Sequence, residues 1–263
     1  MVKRHNLATR AFGSEPGVPD VAALAAWIKE HRGRMADILT FRLDRSLAPQ
    51  IPAGILSPCA GGKFYADRIL QCIAGISDRR ATGELYLDTA DLIEDAAGIV
   101  VQKKGAWCAI PAPHVLSITD TYYDDDEEWS DALCGTYRTL MRTMRDTGVA
   151  GHVLIGDCMV KEELAALSRQ NVFFFQPEPD RESLANLMEC QRQVAIGKKY
   201  LEMLFGLTEE YTLQKVFIID PDPRSIDLAL SHLDPDQVVC GGYCTEERED
   251  YWKDLVAAAV YRR

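Results

Sequence analysis

The chain has 263 residues, with 29 Lys+Arg against 40 Asp+Glu, a formal net charge of −11, an apolar fraction of 47% and a charged fraction of 26%. These ordinary globular values exclude a disordered tail, a collagen-like fibre and a small disulfide scaffold. The acidic balance argues against a general nucleic-acid-binding surface, which needs clustered Lys and Arg to displace counterions, and no basic run is visible.

The basic residues at the N-terminus are followed by no apolar stretch of the kind a secretory signal needs, so none is expected. Leu7–Phe12 reads as an opening strand, with a helix over Val21–Arg32 behind it. Ile38–Leu43 and Gly54–Ser57 read as the second and third strands, and Phe64–Ile76 as a helix. Asp88 or Thr89 caps a short helix to Ala97, after which Ile99–Gln102 returns to extended chain. Ala106–Ile110 is a fourth strand and Asp126–Asp146 a long helix. The second half is more regular. Gly151–Asp157, Asn171–Gln176, Lys215–Asp220 and Gln237–Gly242 are short apolar runs bounded by Gly, Pro and Asp. Helical periods over Lys161–Arg169, Arg181–Phe205, Pro223–Leu233 and Glu246–Tyr261 alternate with them.

Eight strands, each with a helical or irregular return, predict an α/β fold of the (β/α)8 TIM-barrel type, one domain over residues 1–263. An open doubly wound sheet would carry a Gly-rich phosphate loop after its first strand, and Gly13-Ser-Glu-Pro-Gly17 is no G-x-G-x-x-G. No stretch approaches the ~18 apolar residues of a membrane span. Without a secretion signal, the eight cysteines are expected to be reduced thiols of a cytoplasmic protein, most of them buried.

In a barrel the chemistry sits where strands end. Those positions hold Gly13-Ser14, Pro111-Ala-Pro113, Asp157-Cys158, Gln176-Pro-Glu178, Asp220-Pro-Asp222 and the stretch Cys240 to Cys244. Carboxylates and thiols on one rim compose a metal or polar-substrate site, whereas singly each Asp or Pro is a turn former or helix cap. Cys240 and Cys244, four apart, match neither a radical cluster motif nor a Cys-x-x-Cys, and read as one buried thiol and one loop thiol. The acidic run Asp124–Glu128 reads as a helix cap favoured by the helix dipole. Trp129, Tyr137 and Met141 read as a packing face.

Ala109-Ile-Pro-Ala-Pro113, the stretch Tyr122–Glu128, a helix closing at Gly148 and His152–Asp157 together resemble the cobalamin-independent methionine synthase family. The opening Thr9–Pro16 and the strand leading to Cys244 are similar to that family's ends. The broader barrel superfamily also holds uroporphyrinogen decarboxylase and the corrinoid-dependent methyltransferases. The resemblance implies a methyltransferase in which a zinc ion binds a small thiol substrate and lowers its pKa before methyl transfer. By position it implies Cys244, with Cys240 its rival, and Glu178 as zinc ligands; without a His-x-Cys, either Cys158 substitutes as a ligand in a rearranged site or the zinc site has been lost. It implies Ser14 and Asp157 as substrate contacts, Asp157 also as the catalytic residue. The sequence departs from the family in lacking any His-x-Cys, and in showing one βα unit fewer in its second half. Of the histidines only His114 follows a strand end; His152 opens a strand and His232 lies in a helix.

The expected partner is thus a small thiol or methyl carrier, with no nucleic acid and no membrane; self-association stays open. Two alternatives stand beside this reading. One is a diverged, non-catalytic barrel that binds a ligand or partner, whose rim carboxylates are paired or used as caps. The other is a metal-independent decarboxylase-type lyase, which would need Arg10, Arg42 and Arg45 to converge.

Overall fold

The computed structural model describes residues 4–31, 35–246, 248 and 250–262. Eight parallel strands form the centre. They are β1 (Ala8–Ser14), β2 (Cys59–Gly61), β3 (Trp107–Pro111), β4 (His152–Ile155), β5 (Val172–Phe175), β6 (Gln193–Gly197), β7 (Lys215–Ile219) and β8 (Val238–Cys244). Two four-stranded ladders run β2–β3–β4–β5 and β6–β7–β8–β1. At the first seam, Ala11 N–H donates to the Ser57 carbonyl (2.9 Å) and Ser57 N–H to the Thr9 carbonyl (3.2 Å), joining β1 to the approach of β2. At the second, the Gln191 side chain takes the place of a strand partner. Its Oε1 accepts from Phe174 N–H (2.8 Å), and its Nε2 donates to the carbonyls of Phe174 (3.1 Å) and Gln193 (2.7 Å). The architecture is the expected (β/α)8 barrel.

The strands are mostly apolar because parallel barrel strands are covered on both faces; β4, β5 and β8 are buried at every residue. Inside, Phe12, Phe173 and Phe217 meet with ring centroids 5.2–5.4 Å apart, and Phe12 and Tyr243 each lie 5.4 Å from Phe175. Tilted and edge-on aromatic pairs fill the lumen, so the barrel is a packed core.

Ten α-helices of five residues or more are described: α1 (Val21–Glu30), α2 (Ile38–Leu47), α3 (Ala66–Cys72), α4 (Ala90–Gln102), α5 (Asp126–Asp146), α6 (Lys161–Leu167), α7 (Arg181–Cys190), α8 (Leu201–Phe205), α9 (Pro223–His232) and α10 (Tyr251–Ala258). Arg68 of α3, only 2% exposed, ties three of them together. It donates to Asp37, the N-cap of α2 (2.7 Å), and to Asp95 of α4 (2.8 Å), where the Tyr65 hydroxyl also donates (2.8 Å). The predicted end of the first helix at Arg32 lies outside the described residues.

Two misreadings cancel in the strand count. Residues 38–43 are helix, because Asp37 forms a capping box with Thr40 and the buried Leu39, Leu43, Ser46 and Leu47 lie on one helical face. Conversely, the long helix expected over Arg181–Phe205 stops at Cys190, and β6 lies inside it. Val194, Ala195 and Ile196 are compatible with either state, and parallel pairing with β7 decides for strand. The βα unit that the second half lacked in the sequence reading is therefore present.

Smaller corrections follow the same pattern. Gly54–Ser57 is turn, with only a bridge at Ser57, and the strand proper begins at Cys59. The helix expected to Ile76 ends at Cys72, and Ile73–Ser77 pairs antiparallel with Arg80–Leu87. α4 continues through Gln102 without a break. The closing helix ends at Ala258, and Val260–Arg262 pairs antiparallel with Arg4–Asn6. The cap reading of the acidic run holds: Asp125 accepts from Glu128 N–H (2.8 Å) and three acidic residues occupy the first turn of α5. Cys244 is buried like Cys240, not a loop thiol, because β8 runs on through it. No helix of the described residues is long and apolar enough to cross a membrane.

Candidate functional site

The C-terminal ends of β1, β2, β4, β5 and β8 bring one polar network together. Directly after β1 the Glu15 carboxylate accepts from the backbone N–H groups of Lys63 (2.6 Å) and Phe64 (3.3 Å), at the start of the turn leading into α3. The Tyr243 hydroxyl, from β8, donates to the same carboxylate (2.6 Å). Gly62 is required here, because a Cβ on it would lie 2.5 Å from Glu15 Oε1. Gly13 is likewise constrained: its φ is +108°, and a Cβ there would meet Ala109 Cβ at 2.8 Å. Burial and the neighbouring Glu15 carboxylate push the Tyr243 phenol far up, so the hydroxyl stays a donor.

Asp157, after β4, is held from three sides. Its carboxylate is ion-paired with Lys63 Nζ. Its carbonyl accepts from Gln176 Nε2 (2.8 Å), and its N–H faces His114 Nε2 (3.3 Å). His114 is in turn fixed by Glu163 of α6, whose carboxylate accepts from His114 N–H (2.7 Å) and pairs with Nδ1 (2.8 Å). With Nδ1–H donating to Glu163, Nε2 is left to accept from Asp157 N–H. Gln176 Oε1 is buried and has no partner among the described residues. An amide oxygen left so is an acceptor waiting for a donor.

The residues singled out from the sequence fare differently. Asp157 stands on the rim, and its carboxylate is two-thirds exposed. Ser14 and Cys244 are register partners, but Ser14 is buried. The Cys244 Sγ donates to the Glu246 carbonyl (3.1 Å). Glu178 is exposed and paired with Lys199 (3.1 Å). Cys158 is exposed. Burial pushes both thiols up, with the Glu163 and Asp157 carboxylates adding to the effect at Cys158. Among the described residues no three His, Cys, Asp or Glu side chains are grouped as a metal ion requires. Cys158, Glu178 and Cys244, chemically suitable zinc donors, are therefore not gathered into one group among the described residues.

Arg10, Arg42 and Arg45 each have separate partners. Arg10 stacks inside the barrel, Arg42 donates to the Pro16 carbonyl (3.0 Å), and Arg45 lies over Phe41. The sequence reading missed Glu15, Lys63, Tyr243 and Glu163. Glu15 adjoined a strand end already in view. Lys63 was hidden because the third expected strand was placed at Gly54–Ser57, whereas the strand there runs over Cys59–Gly61. Glu163 carries no signal in the sequence, since its position inside α6 resembles any solvated helical carboxylate.

No protein-family profile and no curated protein sequence matches the chain. Solved structures do. A provisionally assigned vitamin-B12-independent methionine synthase from Listeria monocytogenes superposes with a TM-score of 0.65 at 13% identity, over 97% of either chain. A B12-independent methionine synthase from Shewanella sp. W3-18-1, in complex with selenomethionine, gives 0.63 at 12% identity, again over 97% of either chain. At this identity the likeness is one of fold. The resemblance read from the sequence holds at that level.

Proposed function

We propose that this barrel binds a small zwitterionic amino acid at the rim formed by Glu15, Lys63, Asp157 and Gln176, and acts there as a methyltransferase on a small thiol. The carrying observation is Asp157, held by Lys63, Gln176 and His114 beside the unpartnered Oε1 of Gln176. A ligand ammonium group suits Gln176 Oε1 and the two carboxylates, and a ligand carboxylate suits Lys63 Nζ. The similarity to a selenomethionine-bound barrel supports an amino acid of that shape. In the transfer, the thiol sulfur bonds to the methyl carbon as the donor–methyl bond breaks, its electron pair leaving with the donor. The thiol proton passes to Asp157, which acts as general base. No step is routed through zinc, since its implied ligands do not converge. A cytoplasmic setting keeps the substrate thiol reduced.

Calorimetric titration with L-methionine and selenomethionine tests this reading. Saturable binding is expected, with affinity reduced about tenfold or more in Lys63→Met and in Asp157→Asn by loss of a charge-assisted contact. The absence of saturable binding of both amino acids would sink it, as would unchanged affinity in both variants. Metal analysis of protein purified without chelator is expected to give background zinc, equal in Cys244→Ser. The second reading, a binding barrel without catalysis, is favoured by the rim carboxylates being already paired or used as caps. Binding without methyl transfer from any donor would select it.

A further inference from the structure

The opposite, N-terminal mouth of the barrel has a different character. A cavity of about 400 Å³ opens there, bordered by Arg10, Trp107, Ser168, Arg169, Arg192 and Gln193 among others. Three arginines and no Asp or Glu line it among the described residues, in a chain where acids outnumber bases 40 to 29. Arg10 points inward from β1, with its guanidinium carbon 4.2 Å from the Trp107 ring centroid, 4.9 Å from Phe173, 5.1 Å from Phe12 and 5.2 Å from Phe217. Aromatic faces attract a cation, yet they accept no N–H in the plane of the guanidinium.

Two of its donors are unmet. Arg10 Nε and Nη2 are buried with no partner among the described residues, and so is Ser168 Oγ on the same cavity. Nε and Nη2 form one edge of the guanidinium, whose parallel N–H groups match two oxygens of a carboxylate or phosphate. Burial lowers the Arg10 pKa to about 10, which leaves it charged at neutral pH. A buried, unpaired charge is costly, and among the described residues no carboxylate pairs with it. Arg169 and Arg192 add positive potential at the entrance.

We propose that this mouth is an oxyanion-binding site, in which the free edge of Arg10 takes two oxygens of a single carboxylate or phosphate group, with Ser168, Arg169 and Arg192 around it. The site lies at the other end of the barrel from the rim and does not depend on the reading given for the rim. The volume admits a small oxyanion or the anionic end of a slim ligand.

The test is calorimetric titration of the full chain with inorganic phosphate and, separately, acetate, in chloride-free buffer at constant ionic strength. Saturable binding is expected for at least one anion, and which of the two binds tells a phosphate source from a carboxylate source. Ser168→Ala and Arg169→Gln are expected to weaken it about fivefold or more, and Arg10→Met to abolish it. Because Met fills an aromatic cage without a charge, Arg10→Met is also expected to match or exceed the parent in anion-free thermal stability. If Arg10→Met does not fold, the Ser168 and Arg169 variants decide. Unchanged affinity in both, or no saturable binding of either anion, overturns the proposal. So does binding that is lost in Lys63→Met and retained in Arg10→Met, which would place the anion on the rim.

Discussion

His152 opens β4 with its ring wholly buried, and neither ring nitrogen has a partner among the described residues. Burial, with Arg145 adding to it, lowers its pKa from 6.5 to about 3. The unfolded chain therefore binds a proton between pH 6.5 and about 3 that the folded chain refuses. The stability that this histidine contributes is complete above 6.5 and is lost as pH falls through that window. His152→Leu keeps the volume and removes the titration. Urea unfolding from pH 6.5 to 4 is expected to show a shallower loss of stability in the variant, by about 1.4 kcal/mol per pH unit in mid-window. Equal slopes in variant and parent would refute the assignment. At the rim the same scale explains what the sequence concealed. Tyr243 and Glu15 are 228 positions apart, and the pairing of β8 with β1 puts one against the other.

Elements here are joined by side chains as well as by ladders. The seam between β5 and β6 rests on Gln191, whose amide satisfies both backbone groups of Phe174. Gln50 does similar work beside β2, accepting from Cys59 N–H (2.9 Å) and donating to the Cys59 carbonyl (2.7 Å). Gln191→Leu would leave the Phe174 N–H and carbonyl unsatisfied, a loss of about 1–3 kcal/mol per group. Chemical denaturation should show a drop in that range, and hydrogen exchange should show faster exchange of the Phe174 amide. Unchanged stability together with unchanged exchange would mean that the seam closes without it. The same reliance on distant partners explains why β6 was illegible: nothing within Gln193–Gly197 distinguishes a strand from the end of a long helix until β7 pairs with it. By contrast, α5 was legible to both ends, since Asp125 and the acids after it mark its start locally.

For the whole molecule, closure depends on the two chain ends meeting. β1 pairs with β8, and Arg4–Asn6 pairs with Val260–Arg262. A chain truncated after Gln237 lacks β8 and would expose the edges of β1 and β7 together with the aromatic lumen. Open, apolar strand edges invite association and lose cooperative packing. Such a truncation is expected to bind a hydrophobic dye and to unfold without a sharp transition. A cooperative transition with the denaturant sensitivity of the full chain would show that the barrel does not need its last strand.

The opening figures of length and charge excluded classes of protein, and the run of short apolar segments bounded by Asp, Gly and Pro determined a strand–helix alternation. Those signals are local: caps, turn formers and periodicity act within a few residues, so β4, β5, β7, β8 and α5 can be read directly from them. Asp157 was legible as a strand-end carboxylate for the same reason. Tertiary structure alone decided that 193–197 is strand, and that Lys63, Gln176 and His114 hold Asp157 while Cys158, Glu178 and Cys244 are not gathered into one metal-binding group. Burial and pairing with residues far along the chain outweigh local preference at each of these places, and no window of sequence contains both partners.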